Sequence, residues 1–294
     1  MQTTQLSEIL KSIYVLAENN QYPLAIEKLD TLISHNKKNH YLYNMRGVIH
    51  LQHNQLDLSE KDLKKSKKIK PDFAAAHSNL GILYRTQGRV TEAENFFRRA
   101  IKIDTQDVNT RLNLASLFYS ERQFIQANKI YKELIELIPE DAQVNTLYGN
   151  SLVELNNIEE AIIFLKKAAS IKPESNIFND IGLCYMYLGE EKKDEEFYYK
   201  SIELDDLNLK AYYNLGVTLK ELGRLSDAEA SYREAIRSNS NYAEAHGNLG
   251  ITLNELGKIA ESVASFRQAI SLKPKFPEAY NNLGNALKEL GRLE

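Results

Sequence analysis

The chain has 294 residues, with 37 basic and 40 acidic side chains, a formal net charge of −3 and 43% apolar residues. That mixture excludes a disordered chain, and the balance of charge excludes a whole-protein attraction to nucleic acid or anionic lipid. The single cysteine, Cys184, excludes an intrachain disulfide and a cysteine-rich metal site. Residues 1–10 lack the basic stretch and apolar core of a signal peptide, and no run of 18 apolar residues offers a membrane span. The expected compartment is cytoplasmic.

Glycine spacing organises the rest. Gly47, Gly81, Gly149, Gly182, Gly216, Gly250 and Gly284 are separated by 34, 68, 33, 34, 34 and 34 residues. Gly88, Gly189, Gly223, Gly257 and Gly291 each follow a member of that set by seven residues. A period near 34 marks an internal repeat, which replaces the two-domain expectation that length alone suggests with one array over 1–294.

In chain order the units are 6–39, 40–73, 74–107, 108–141, 142–174, 175–208, 209–242, 243–276 and a truncated 277–294. Unit 6–39 departs most, with Ile13 at the glycine position. Unit 40–73 carries the strongest charge run, Lys61, Lys64, Lys65, Lys67, Lys68 and Lys70, read as a solvated outer helix. Unit 74–107 shows the pattern fully: Leu80, Gly81, Tyr84, Ala93, Phe97 and Ala100 recur at helical spacing on either side of a turn at Gly88. Glycine fits the left-handed residue just past a helix end, and Pro71, Pro139, Pro173 and Pro274 fit the turns between units.

Each unit is therefore expected to be two antiparallel helices, with no strands. Ala25, Ser59, Ala93, Ala127, Ala161, Ala228 and Ser262 supply a small residue for close helix approach, and Asp194 is the exception in unit 175–208. Four positions later comes a bulky residue, from Leu29 to Phe266. One such hairpin cannot bury its apolar face alone, whereas stacked neighbours can.

The residues Asn79-Leu80-Gly81, Tyr84, Gly88, Ala93, Phe97 and Ala100 resemble the tetratricopeptide repeat, a 34-residue helix–turn–helix unit. The resemblance covers nearly the whole chain and is strongest at Asn214-Leu215-Gly216, Asn248-Leu249-Gly250 and Asn282-Leu283-Gly284. It implies an all-α, right-handed superhelical solenoid whose first helices line a concave face. It also implies a non-catalytic scaffold that binds an extended peptide or partner protein in that groove. An alternative is the substrate-recognition part of a larger enzyme, such as a glycosyltransferase of the O-linked N-acetylglucosamine type.

The candidate contacts are amides. Asn79, Asn113, Asn214, Asn248 and Asn282 precede the Leu-Gly or Leu-Ala pair, and an asparagine amide pairs with a peptide bond whatever the ligand sequence. The series resembles the asparagine ladder of O-linked N-acetylglucosamine transferases, and it is broken at Met45, Leu147 and Asp180. A competing reading, that these amides only bond a neighbouring helix, stands beside it. Lys210 and Tyr213 are further candidates for the concave face.

No catalytic constellation, phosphate loop or cofactor motif is present. His50 and His53 lack a third metal ligand, and Cys184 reads as a buried thiol. Glu18, Glu154, Glu221 and Glu255 at inner positions argue against nucleic acid. The last unit stops after one helix, where Leu283 and Leu287 keep the pattern that expects a second. We therefore expect the polypeptide to be cut from a longer array, and the exposed helix to invite end-to-end or two-fold self-association.

Overall fold

The computed structural model describes residues 3–291, and every regular element among them is an α-helix. The last three residues of the truncated repeat, Arg292 to Glu294, lie outside the described part. Two compact units are distinguished, residues 1–134 and 135–294. Unit 1 holds α1 (Thr3–Glu18), α2 (Tyr22–His35), α3 (His40–Gln52), α4 (Leu56–Ile69), α5 (Ala74–Thr86), α6 (Val90–Ile103), α7 (Val108–Ser120) and α8 (Phe124–Leu137), the last as far as residue 134. Unit 2 holds α9 (Ala142–Glu154), α10 (Ile158–Ile171), α11 (Ser175–Tyr187), α12 (Glu191–Leu204), α13 (Leu209–Glu221), α14 (Leu225–Ser238), α15 (Ala243–Glu255), α16 (Ile259–Leu272) and α17 (Pro277–Glu289). None of the described helices is long and apolar enough to cross a membrane.

The helices pair because a glycine on the first admits a bulky side chain from the second. A Cβ placed at Gly81 would lie 2.6 Å from the Phe97 ring, and one at Gly216 would lie 2.7 Å from the Tyr232 ring. The same close approach joins Gly47 to Leu63, Gly149 to Leu165, Gly182 to Tyr198 and Gly250 to Phe266, always sixteen residues on. Tyr198, Tyr232, Phe97 and Phe266 are at most 1% exposed, so these contacts form the spine of each unit's core. At Gly284 a Cβ would meet nothing.

The turn inside each pair is left-handed at one residue. Gly88, Gly189, Gly223, Gly257 and Gly291 take positive φ, and Asn20, Asn54, Arg122 and Asn156 take it where glycine is missing. From Asn20 through Gly257 the amide after such a residue reaches back to a helix carbonyl, as Arg89 N does to Tyr84 O at 2.8 Å and Gln123 N to Phe118 O at 2.8 Å. Between pairs a polar side chain closes the turn. His77 Nε2 meets the Pro71 carbonyl at 2.8 Å, and Asn145 donates to the Pro139 carbonyl at 2.9 Å.

Each unit is an all-α helical-repeat solenoid. Within each unit second helices pack on the first helix that follows, for example α4 on α5 and α14 on α15. Successive first helices also touch: α3 with α5 and α5 with α7 in unit 1, and α9 through α17 in unit 2. Successive second helices do not approach one another as closely. Within each unit the first helices therefore lie on the inside of the curve.

Candidate functional site

The inner face of unit 2 is crossed by a chain of side-chain hydrogen bonds. Asn150 on α9 donates to Asp180 on α11 at 3.1 Å, and Asn179 donates to the other oxygen of the same carboxylate at 3.3 Å. The Asn179 carbonyl in turn accepts from Asn214 on α13 at 3.0 Å. Asn248 on α15 donates to the Tyr213 hydroxyl at 3.0 Å. In unit 1, Asn79 donates to Asn44 at 3.0 Å. The three bonds made by Asn79, Asn214 and Asn248 share one rule: the acceptor stands 35 residues earlier, on the preceding first helix.

Asp180 is thus an acceptor within this chain rather than a gap in it. Burial raises its pKa, and the Asn150 and Asn179 bonds and the positive charge of Lys210 oppose that rise. Lys210 is exposed at the start of α13, and its backbone amide is capped by the Asn208 side chain at 3.1 Å. Tyr213 is half-buried, with its ring 6.0 Å from Tyr232 and 5.1 Å from Tyr242. Burial raises the Tyr213 pKa and pushes the Tyr242 hydroxyl up to about 12. Tyr213 serves packing and the ladder together.

Asn282 stands differently. The residue 35 positions earlier is Gly247, which has no side chain to accept a bond. Asn282 instead lines a hollow of about 570 Å³ with Asn254, Asn285, Ile251 and Lys288. The Asn254 side-chain amide oxygen there is buried and has no hydrogen-bond partner. Three side-chain amides therefore converge on one cavity of the inner face, one of them with a buried oxygen that lacks a hydrogen bond. Asn113, half-buried on α7, joins no such cluster. Of the seven residues proposed from the sequence, the structure joins Tyr213 with Asn248, places Lys210 where its charge reaches Asp180, and leaves Asn282 facing open space.

Other sequence expectations take physical form. Cys184 is wholly buried, which pushes its thiol up to about 12. His50 contacts Gln55 at 2.7 Å, and His53 lies against the Tyr22 ring. Among the lysines of α4, Lys64 pairs with Glu60 at 2.6 Å and Lys67 sits 5.0 Å from the centre of the Phe96 ring. The open side of α17 is not where the leucines pointed: Leu287 is only 7% exposed and packs with Val263 and Phe266. What stands uncovered is Gly284 together with Tyr280, 52% exposed.

Comparison with known proteins agrees with this geometry. Models described as tetratricopeptide repeat match residues 40–73, 63–108 and 209–242, and one described as TPR repeat matches 252–291. A model of anaphase-promoting complex, cyclosome, subunit 3, matches 86–168. The Pseudomonas aeruginosa type IV pilus assembly protein PilF is 27% identical over 144 residues, covering 48% of this chain and 57% of that protein. The human protein O-mannosyl-transferase TMTC3 is 23% identical over 203 residues, covering 63% of this chain and 22% of that protein. The chain thus spans well under two thirds of these relatives.

Among solved structures, the APC/C hetero-tetramer Cut9-Hcn1 superimposes with a TM-score of 0.63 at 17% identity, over 90% of this chain and 52% of that one. YrrB, described as a TPR protein with an unusual peptide-binding site, gives 0.51 at 22% identity, over 63% and 96%. Repeat spacing, helix pairing and family models lead to one conclusion: this chain is a tetratricopeptide repeat protein.

Proposed function

We propose that the chain is a non-catalytic scaffold that holds an extended peptide of a partner protein along the first helices of unit 2. The observation that carries this reading is the hollow shared by Asn254, Asn282 and Asn285, in which the Asn254 side-chain oxygen is buried without a hydrogen-bond partner. A peptide backbone offers one donor and one acceptor per residue, which such amides match without reading sequence. Asn214 and Asn248 already bond neighbouring helices, so their part is to fix the spacing of the face and to offer their remaining donor and acceptor. Lys210 and Tyr213 flank that stretch, and Asn79 and Asn113 would serve the corresponding face of unit 1. The description of YrrB as having a peptide-binding site supports the class of ligand.

The test is capture on an array of random-sequence peptides. Changing Asn254 and Asn282 to alanine should weaken capture about tenfold or more, as loss of two hydrogen bonds to a desolvated backbone would. Changing Asn113 alone should have little effect on peptides held by unit 2. Full retention by the double variant would refute the role of the hollow. A recognition segment of a larger enzyme would use the same face, and the resemblance to TMTC3 favours keeping that second reading. Self-association through the uncovered Gly284 and Tyr280 side of α17 is a subsidiary proposal.

A further inference from the structure

The outer side of the stack holds a second kind of groove, formed where a first helix floors the gap between two second helices. Three of them have clear dimensions, and two are electrostatically closed. In the groove of α2, α3 and α4, Arg46 makes paired bonds to Asp62 at 2.6 and 2.7 Å and a third to Asp30. In the groove of α14, α15 and α16, Arg233 meets Glu229 at 2.9 Å and Glu261 at 2.7 Å, and Arg237 meets Glu234 at 2.7 Å.

The groove of α6, α7 and α8 is open in this respect. It encloses about 480 Å³, and Arg98, Lys102, Arg111 and Lys129 line it against one carboxylate, Glu133. Arg98 is held by Glu94 at 2.7 Å and lies 5.6 Å from the centre of the Phe118 ring. Lys102 and Lys129 have no carboxylate within 4.0 Å among the described residues. The Arg111 side chain is only 12% exposed, yet its Nε is 3.9 Å from Glu133, beyond hydrogen-bonding range, and has no partner. Its Nη1 reaches only the Asp107 carbonyl, at 3.4 Å. A mostly buried guanidinium whose one carboxylate neighbour, Glu133, stands too far off to accept a hydrogen bond is costly, whereas Arg46 in the groove of α2, α3 and α4 is bonded to two.

We propose that this groove binds an acidic segment of a partner protein. A carboxylate of the segment would take the unspent N–H groups of Arg111, with Lys102 and Lys129 holding its neighbours. The floor discriminates against nucleic acid: Phe118 is 3% exposed and offers no ring face on which a base could stack. This site is built mainly on second helices of unit 1, whereas the proposed peptide face is built on first helices of unit 2, and neither reading depends on the other.

The experiment uses the full chain and a fluorescein-labelled peptide, Asp-Glu-Glu-Leu-Glu-Glu-Asp, followed by anisotropy at low salt. Saturable binding is expected that weakens as salt rises, with no binding of the same peptide carrying glutamine and asparagine in place of its acids. Lys102→Gln with Lys129→Gln, both exposed side chains, should weaken binding about tenfold. Lys61→Gln with Lys65→Gln, an equal change of charge on α4, should leave it unchanged. Arg111→Lys, which keeps the charge and removes the fork, should fall between, with the melting curve of each variant recorded as a check on folding. Equal loss from the α4 pair, no saturable binding by the parent chain, or a labelled oligonucleotide binding more tightly than the peptide would overturn the proposal.

Discussion

At the scale of single residues, two positions depart from what the repeat wants. Arg122 holds the left-handed turn conformation that glycine holds at five equivalent places. A side chain there is strained, whereas glycine is not. Arg122→Gly should therefore stabilise the chain by about 0.5–1 kcal/mol despite the added freedom of the unfolded state. A denaturant titration with an unchanged or lowered midpoint would contradict this account of the turn.

Asp194 occupies the place of a small residue at the helix crossing. It is 1% exposed, neither carboxylate oxygen has a well-formed hydrogen bond, and burial pushes its pKa up to about 6. The nearby Thr218 hydroxyl and Glu195 amide offset that burial only in part. The folded value lies above the unfolded one, so what the protonated form contributes is complete below about pH 4 and is lost as pH rises through about 6. At pH 7 the buried charge is a liability. Asp194→Ala should raise stability there by roughly 2–3 kcal/mol, and the gain should shrink as pH falls from 6 to 4. A gain that persists unchanged to pH 4 would show that the charge is not the cause.

At the scale of helices, the first-helix amides couple neighbours across each unit. Asn179 accepts from Asn214 and donates to Asp180, and it is 4% exposed. Asn179→Ala should cost about 1–3 kcal/mol, because it leaves Asn214 and Asp180 each short of a partner. A double-mutant cycle with Asn214→Ala should return a positive coupling of about 0.5 kcal/mol or more. Additive effects would mean that the 3.0 Å contact contributes nothing to joining α11 and α13.

Much of this was readable from the chain, and the part that was not has a physical reason. The helix pair was legible because the glycine of the first helix and the small and bulky residues of the second recur in unit after unit, and the structure shows that the bulky one fills the space at the glycine. At the turns without glycine, Asn20, Asn54 and Asn156 carry a signal in their type, since asparagine tolerates the left-handed conformation, whereas Arg122 carries none. Donors Asn79, Asn214 and Asn248 could be named from spacing, but their acceptors could not. Asn44, Asn179 and Tyr213 differ in kind and lie on another helix, so only folding reveals the shared offset of 35 residues. Asp180 looked like an interruption and is a shared acceptor. The basic groove was hidden more deeply, since Arg98, Arg111 and Lys129 come from three helices and no local charge run announces them.

At the scale of the whole molecule, stability is a sum over pairs and their contacts with the next pair, with no single centre. The proposed function follows the same logic: in unit 2 the series amide recurs on α13, α15 and α17, and binding along it would depend on those first helices keeping their spacing. The central claim is that this face of unit 2 is the peptide-binding surface. Hydrogen–deuterium exchange on the full chain, with and without a peptide selected on the array, tests it most directly. The account predicts added protection in α13, α15 and α17, centred on Asn282, with α12, α14 and α16 unchanged. Protection confined to those second helices, or absent from α15 and α17 while the peptide stays bound, would contradict it.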